Sequence, residues 1–310
     1  MKVSIVIPVY YNEGNLIPLY KDIQEKYISK IDYEYEIVMV DDGSGDKSYD
    51  VMIELAANDE NIKIIHLSRN FGSHAAILCG LDYCTGDCAV VKAADLQEPT
   101  EIIHEMVDRW KEGNNVVLAV RKSRPEDDKQ VFFSNLYYSI VRKTALKSMP
   151  KKGFDVYLLD RKVIEVLKKL DEKNSALTGQ ILWSGFKTGY VEYSRQERAI
   201  GESKWTFAKK IRLVMDTLFS FSTFPIKAVE ILGTVVCLGT AVWAIIEFIL
   251  KMAGMIEVPG WTLLFISQLL GFGITMLTLG ILGEYIWRTF DASRNRPPYI
   301  VEKDNVKKDE

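Results

Sequence analysis

Two long apolar runs near the C-terminal end constrain this chain more than any other feature. Ile231 to Leu250 is twenty residues whose only charge is Glu247, and Leu263 to Leu282 is a second run broken only by Gln268. At about 1.5 Å per helical residue, each covers about 30 Å, the hydrocarbon thickness of a bilayer. A buried core helix rarely needs so many consecutive apolar residues. Lys204, Lys209, Lys210, Arg212 and Lys227 precede the pair, Arg288, Arg294 and Arg296 follow it, and the Lys251–Gly260 connection holds one Lys and one Glu. The excess of cations on the outer flanks places both flanks in the cytoplasm and the short connection outside. Trp261 and Trp287 fall where interfacial aromatics belong. The pattern predicts a transmembrane hairpin over 226–287, with spans at about 231–250 and 263–286, and a cytosolic tail over 288–310. The tail's charged end, Val301–Glu310, is expected to be disordered.

Just before the hairpin, Phe207, Ile211, Val214, Met215, Leu218 and Phe221 recur at helical spacing beside Lys209, Lys210 and Arg212, and Pro225 ends the pattern. A basic amphipathic helix over 206–225 suits the membrane interface; the alternative is an ordinary helix packed on the rest of the protein. Two membrane helices are too few to form a transport path. They are better suited to holding residues 1–205 at the membrane surface. Met1–Pro8 carries one basic residue and no small-residue cleavage site, so no signal peptide is expected and this part stays in the cytosol.

Residues 1–205 alternate strand and helix signals. Val3–Val9, Tyr35–Val40, Ile62–Leu67, Ala89–Lys92 and Asn115–Val120 read as strands, with helices around 16–30, 46–58, 73–84 and 99–112. That alternation predicts an α/β domain on a mostly parallel sheet. Polar residues gather after the strand ends: Asn12 and Glu13, Asp41 and Asp42, Arg69 and Asn70, Asp95 and Gln97. Ligands of open α/β sheets bind at those ends. No GxGxxG or GxxxxGK[ST] follows a strand, which speaks against a dinucleotide oxidoreductase and a P-loop NTPase. Carboxylates in their place can take hydrogen bonds from a base or ribose, and Asp95-Leu96-Gln97-Glu98 fits a hard cation bound through few protein oxygens. Asp41-Asp42-Gly43-Ser44 is also readable as a plain turn and helix cap. A net charge of −3 gives no general attraction to nucleic acid. Cys79, Cys84, Cys88 and Cys237 are too few and too irregular for a disulfide framework, and His66, His74 and His104 show no metal-ligand spacing.

Six motifs occur in the order seen in family 2 glycosyltransferases: PVYYNEGNL (8–16), VDDGSGDKS (40–48), RNFGSHAA (69–76), ADLQEP (94–99), FDVYLLDRK (154–162) and GESKW (201–205). The chain resembles most the polyisoprenyl-phosphate glycosyltransferases, the group of dolichol-phosphate mannose synthases and bactoprenol glucosyltransferases, whose bacterial members also end in two membrane helices. The resemblance covers nearly the whole chain. It implies a GT-A fold and inverting transfer of a sugar from a nucleotide diphosphate to a polyprenyl phosphate, with UDP-glucose and undecaprenyl phosphate as the expected pair. GDP-mannose or a modified UDP-pentose is the alternative donor. The product would feed glycan or lipid modification after being flipped outward, and a homotetramer is known among relatives.

Carried over by position, Pro8, Tyr10, Glu13 and Asp42 would line the nucleoside pocket, together with Asp95. Asp95 and Gln97 would hold Mg²⁺ or Mn²⁺ on the diphosphate, and Asp155 matches an acidic residue near the acceptor. Arg121, Arg124, Arg198, Ser203 and Lys204 resemble the groups that receive the lipid phosphate and the departing diphosphate. Asp95 and Asp155 are thus the expected catalytic pair. Three departures stand out: Ala93 replaces the first acid of the usual DADLQ, Tyr157 replaces an arginine, and Tyr10 is followed by an extra Tyr11. Ala93 and Tyr157 raise the alternative of a catalytically silent nucleotide-sugar-binding partner of a membrane complex. A processive polysaccharide synthase is disfavoured, since QxxRW is absent and two helices cannot build a polymer channel.

Overall fold

The apolar run at the start of the chain becomes the middle of an eight-stranded sheet. In the computed structural model, which describes residues 1–122, 138–151, 153–170, 172, 175–196, 207–254 and 261–306, β1 (Lys2–Val9) lies between β2 (Glu34–Asp41) and β4 (Cys88–Val91), parallel to both. β3 (Ile62–Leu67) continues the parallel set beyond β2. On the other side, β5 (Val116–Arg121) and β7 (Thr188–Tyr193) are parallel to each other. β6 (Val156–Asp160) runs antiparallel between β4 and β5. The order is β7-β5-β6-β4-β1-β2-β3, closed at its far edge by β8 (Val301–Asp304), antiparallel to β3.

Helices cover both faces, which is why the central strands read as unbroken hydrophobic runs rather than alternating ones. Val3, Ile5, Ile7 and Val9 meet Leu16, Leu19 and Ile23 of α1 (Glu13–Lys26), Met52 of α2 (Ser48–Asn58) and Ile103 and Met106 of α4 (Ile102–Lys111). Val6, Val38 and Val40 face the other way, onto Ala76 and Cys79 of α3 (Ser73–Tyr83), Ile164 of α5 (Arg161–Lys169) and Ile181 of α6 (Leu177–Trp183). The mostly parallel α/β architecture and the five expected strands are all present. β6, β7 and β8 are additions to that expectation.

β8 corrects the expectation of a disordered tail. Its charged side chains conceal a strand because it pairs along one edge only and needs no apolar face: Glu302, Lys303 and Asp304 are exposed, and Val301 is half-buried. The backbone holds it, with Ser68 N donating to Ile300 O at 3.0 Å and Asn305 N to Ile64 O at 3.2 Å. The Asn305 side chain adds bonds to Ile64 N and Ile62 O, and Tyr299 OH bonds Asp82.

At the opposite end of β2 from the polar strand ends, Glu36 is buried with its charge intact. Ser4 Oγ and the Thr85 amide and hydroxyl donate to it, and Lys2 and Lys63 reach Oε2 at 2.9 and 3.0 Å. Burial alone would push this carboxyl up; the donors and cations outweigh it and hold the pKa at about 2. A depressed folded-state value contributes stability above the unfolded value, 4.5, that is lost as pH falls toward 2. The contribution at neutral pH is about 3 kcal/mol. Glu36→Gln is expected to lower Tm at pH 7 and to flatten the fall in Tm between pH 4.5 and 2, read by thermal unfolding in detergent.

Beyond the sheet, α7 (Phe207–Phe221) leads into α8 (Phe224–Met252) and α9 (Trp261–Ser293). Phe224–Met252 and Ser267–Ser293 are long and apolar enough to cross a membrane, with mean hydropathies of 2.1 and 1.6, and neither apolar window is buried within the protein. Thr234, Thr240, Thr275 and Thr278 turn their hydroxyls back onto carbonyls of the preceding turn, which leaves no polar hydrogen directed outward from them. α7 touches both parts of the molecule. Phe221 packs on Gly179 of α6, Ser222 Oγ donates to Thr144 O, and Asp216 pairs with Arg288 of α9 at 2.9 Å.

Candidate active site

The site follows from topology. Parallel β1, β2, β4, β5 and β7 all end on one edge, and antiparallel β6 begins there, so residues just after five strands and just before a sixth converge. Two clusters stand along this edge.

The first lies beyond β1 and β2. Pro8 is paired with Val40 near the strand ends, and Tyr10 and Tyr11 meet edge to face at 4.7 Å. Tyr11 has φ 55°, uncommon for a residue with a side chain, and its N–H donates to Ser44 Oγ at 3.0 Å. Glu13 is exposed and accepts from Lys47 N at 2.9 Å, tying the start of α1 to the turn before α2. Asp42 is buried and accepts from Phe71 N at 2.7 Å and Gly72 N at 2.9 Å, so it anchors the loop that opens α3. Burial, reinforced by neighbouring Asp41, pushes its carboxyl up against the pull of those two amides and Arg69. Gly43 explains how closely these loops meet: with φ 66°, a Cβ there would lie within 2.5–2.8 Å of the Arg69 and Asn70 backbone. Pro8, Tyr10, Glu13 and Asp42 are therefore brought together.

The second cluster lies beyond β4, β5 and β7. Asp95 Oδ1 accepts from Gln97 N at 3.3 Å across Leu96, whose φ is 58°. Gln97 Oε1 accepts from Arg195, and Gln97 O accepts from Gln196 N at 2.9 Å, joining this loop to the one after β7. Arg121, buried at the end of β5, ion-pairs with Asp155, which is half-exposed just before β6, and its Nε donates to Tyr193 OH at 3.4 Å. Beneath them lie two buried ionisable groups, Lys92 and Glu98. Lys92 donates to Glu98 O, and burial lowers its pKa. Glu98 is pushed up to about 7 by burial first and then by Asp95 and Asp155, against Lys92 and Arg195.

Asp95, Gln97, Arg121 and Asp155 thus share one region. Arg124, Arg198, Ser203 and Lys204 lie outside the described residues. Tyr157 belongs elsewhere: it is buried in the core, edge to face with Phe154 at 5.8 Å. Sequence reasoning missed Lys92, Tyr193 and Arg195, and had Glu98 only as part of the Asp95–Glu98 run. Arg195 had a visible signal, a cation two residues past a strand; its Nε is buried with no hydrogen-bond partner among the described residues, a group that an anionic oxygen would satisfy.

The donor set decides what cation would fit. Among the described residues no group of three His, Cys, Asp or Glu side chains is placed to hold a metal ion. Asp95 offers a carboxylate, and Gln97 Oε1, which here accepts from Arg195, would add an amide oxygen once that guanidinium turned to phosphate; so few protein oxygens suit a hard cation that takes the rest from phosphate and water.

Comparison with known proteins follows the same outline. The model of the family described as glycosyl transferase family 2 matches residues 4–223. An uncharacterized glycosyltransferase of Bacillus subtilis (strain 168) is 39% identical over 97% of this chain and 93% of its own length. A prophage bactoprenol glucosyl transferase homolog of Escherichia coli (strain K12) is 34% identical, covering 98% and 99%. The bactoprenol glucosyl transferase of Shigella phage SfV is 32% identical, covering 99% and 100%.

Proposed function

The chain belongs to glycosyl transferase family 2, and on that premise we propose that it moves glucose from UDP-glucose to undecaprenyl phosphate at the cytosolic face of a membrane. The observation that carries this reading is a polar strand-end cluster on the same chain as two helices of membrane-crossing length, matched end to end by relatives named for bactoprenol glucosyl transfer. Residues 1–205, with β8 closing their sheet, form the catalytic domain, 206–225 lie in the interface, 226–287 cross the membrane twice, and both flanks of the hairpin face the cytoplasm.

The acceptor sets the chemistry. A phosphate monoester has a second pKa of about 6, so near neutrality it is mostly dianionic and nucleophilic without a base. Its oxygen attacks the sugar's anomeric carbon from the face opposite the diphosphate; the new C–O bond forms as the old one breaks, and the nucleoside diphosphate leaves with the electron pair. The protein must bring two anions together and hold the negative charge that develops on the leaving group. Arg121 and Arg195 supply fixed positive charge at the edge where both phosphates would meet, with Arg124, Arg198 and Lys204 completing it by resemblance. Asp155 is engaged by Arg121, which suits it to orienting that guanidinium and the acceptor rather than to taking a proton. Mg²⁺ or Mn²⁺ on Asp95 and Gln97 would act as a Lewis acid toward the departing diphosphate. Pro8, Tyr10, Glu13 and Asp42 would enclose the nucleoside. The membrane adds proximity by confining the lipid phosphate to the plane in which the site opens.

The test is purified protein in liposomes with undecaprenyl phosphate, Mg²⁺ or Mn²⁺, and a panel of labelled UDP- and GDP-sugars. Label is expected in the lipid phase from UDP-glucose alone. Label from GDP-mannose or a UDP-pentose would replace the donor but keep the reaction. Intact nucleotide binding with no label from any donor would favour the silent binding partner that Ala93 raised.

A further inference from the structure

The strand that closes the sheet at β3 does more than cover an edge. It brings Glu302 to His66, and His66 leads directly into the first cluster of the site. Asp41, the last residue of β2, is fully buried, and a buried carboxylate is costly unless its oxygens are bonded. Its Oδ2 lies 2.6 Å from His66 Nδ1. A carboxylate only accepts, so the imidazole carries its proton on Nδ1 and donates it. Nε2 on the far side of the ring then faces Glu302 Oε2 at 3.8 Å. The ring also packs on Tyr49 of α2, centroids 4.6 Å apart, and Lys303 Nζ lies 6.0 Å from the same tyrosine ring. Every element around His66 therefore presents a polar or charged group to it: β2 through Asp41, α2 through Tyr49, and β8 through Glu302, with Lys303 beyond.

Asp41 passes the connection on. It accepts from Ser44 N at 3.3 Å, and Ser44 Oγ in turn accepts from Tyr11 N at 3.0 Å, in the turn where Tyr11 holds its left-handed backbone. An unbroken path of contacts thus runs from the C-terminal strand through His66, Asp41 and Ser44 to the tyrosines beyond β1. None of these links is needed for the chemistry assigned to the site, and none belongs to the second cluster.

We propose that His66 is a positioning residue for the nucleoside pocket, fixing Asp41 and the turn behind it, and that docking of the C-terminal strand completes this support. The proposal rests on the reading of the first cluster as the nucleoside pocket. Since His66 acts through Asp41, its loss should loosen donor binding while leaving the transfer step intact.

The experiment uses the full-length protein in lipid nanodiscs, with UDP and GDP as probes in calorimetric titrations. Four proteins are compared: wild type, His66→Leu, His66→Asn and a chain ending at residue 297. Asparagine keeps an N–H where Nδ1 stands, so it separates the hydrogen bond from the bulk of the ring. Binding of the nucleotide that wild type prefers is expected to weaken about tenfold in His66→Leu and to recover to within about threefold in His66→Asn. The shortened chain should bind at least about threefold more weakly, and kcat in His66→Leu should change less than about twofold at saturating donor. Wild-type affinity in a folded His66→Leu protein would overturn the proposal, as would equal losses in the leucine and asparagine variants. If His66→Leu fails to fold, the asparagine variant and the shortened chain decide, and wild-type affinity in the shortened chain overturns the role of the strand. Failure of wild type to bind either nucleotide would instead overturn the pocket assignment itself, a result distinct from a selective loss in the variants.

Discussion

Asp95→Asn is expected to remove lipid glucosylation almost entirely, with kcat falling at least about 10³-fold. The magnitude follows from how little the site offers in reserve. Where the DADLQ motif that this segment resembles has two acids, Ala93 leaves one, and among the described residues no group of three His, Cys, Asp or Glu side chains is placed to hold a metal ion. The amide is isosteric and half-buried Asp95 faces no tight core, so the fold should survive: Tm is expected to stay within a few degrees of wild type. Titration with UDP in the absence of divalent cation should give nearly equal affinities for the two proteins, and addition of Mg²⁺ or Mn²⁺ should strengthen binding only in wild type. A variant that retained a tenth of the activity would show that the cation is held elsewhere. Ala93→Asp is the complementary substitution, expected to tighten cation dependence without being required for turnover.

The second large effect is expected at Arg121. This guanidinium is buried, bonded to Tyr193 and paired with Asp155, and Arg121→Ala would remove a buried cation at the end of β5. Turnover with undecaprenyl phosphate should fall at least about 10²-fold, from the loss of charge at the point where two anions meet. Stability should fall by about 1–2 kcal/mol only, because half-exposed Asp155 recovers water when its partner leaves. Lysine at this position keeps the charge without the planar fork and should restore only part of the rate. Asp155→Asn is the decisive contrast. If Asp155 orients Arg121, the amide should cost less than about tenfold and leave the pH profile unchanged. A loss as deep as that of Asp95→Asn would return Asp155 to the role of proton acceptor.

What the sequence disclosed depends on how local each signal is. β1 was legible because VSIVIPV is buried on both faces and needs no knowledge of its partners. The strand-end residues were legible for the same reason: Asp42, Asp95 and Gln97 each follow an apolar run directly. β6 was harder, since Val156–Asp160 is short and follows a long stretch of mixed composition, and its antiparallel placement between β4 and β5 has no local signature. β8 was illegible because an edge strand with exposed charges looks like any solvated tail. Glu36 and His66 were hidden for a different reason. Each is a single polar residue within a strand, and the partners that give it meaning, Thr85 and Lys63 for one, Asp41 and Glu302 for the other, lie far away along the chain.

The closing strand also sets an order of events in synthesis. Ile64 and Asn305 bond across 241 residues of sequence, so the outer edge of β3 stays open until the segment around Asn305 has left the ribosome. By then both apolar helices have already emerged. The sheet is therefore closed at β3 only after both apolar helices have been made, and a ribosome that stalls before Val301 releases a chain with a bare, pairing-prone edge. The two apolar helices and the edge of the sheet are thus made in a fixed order, helices first.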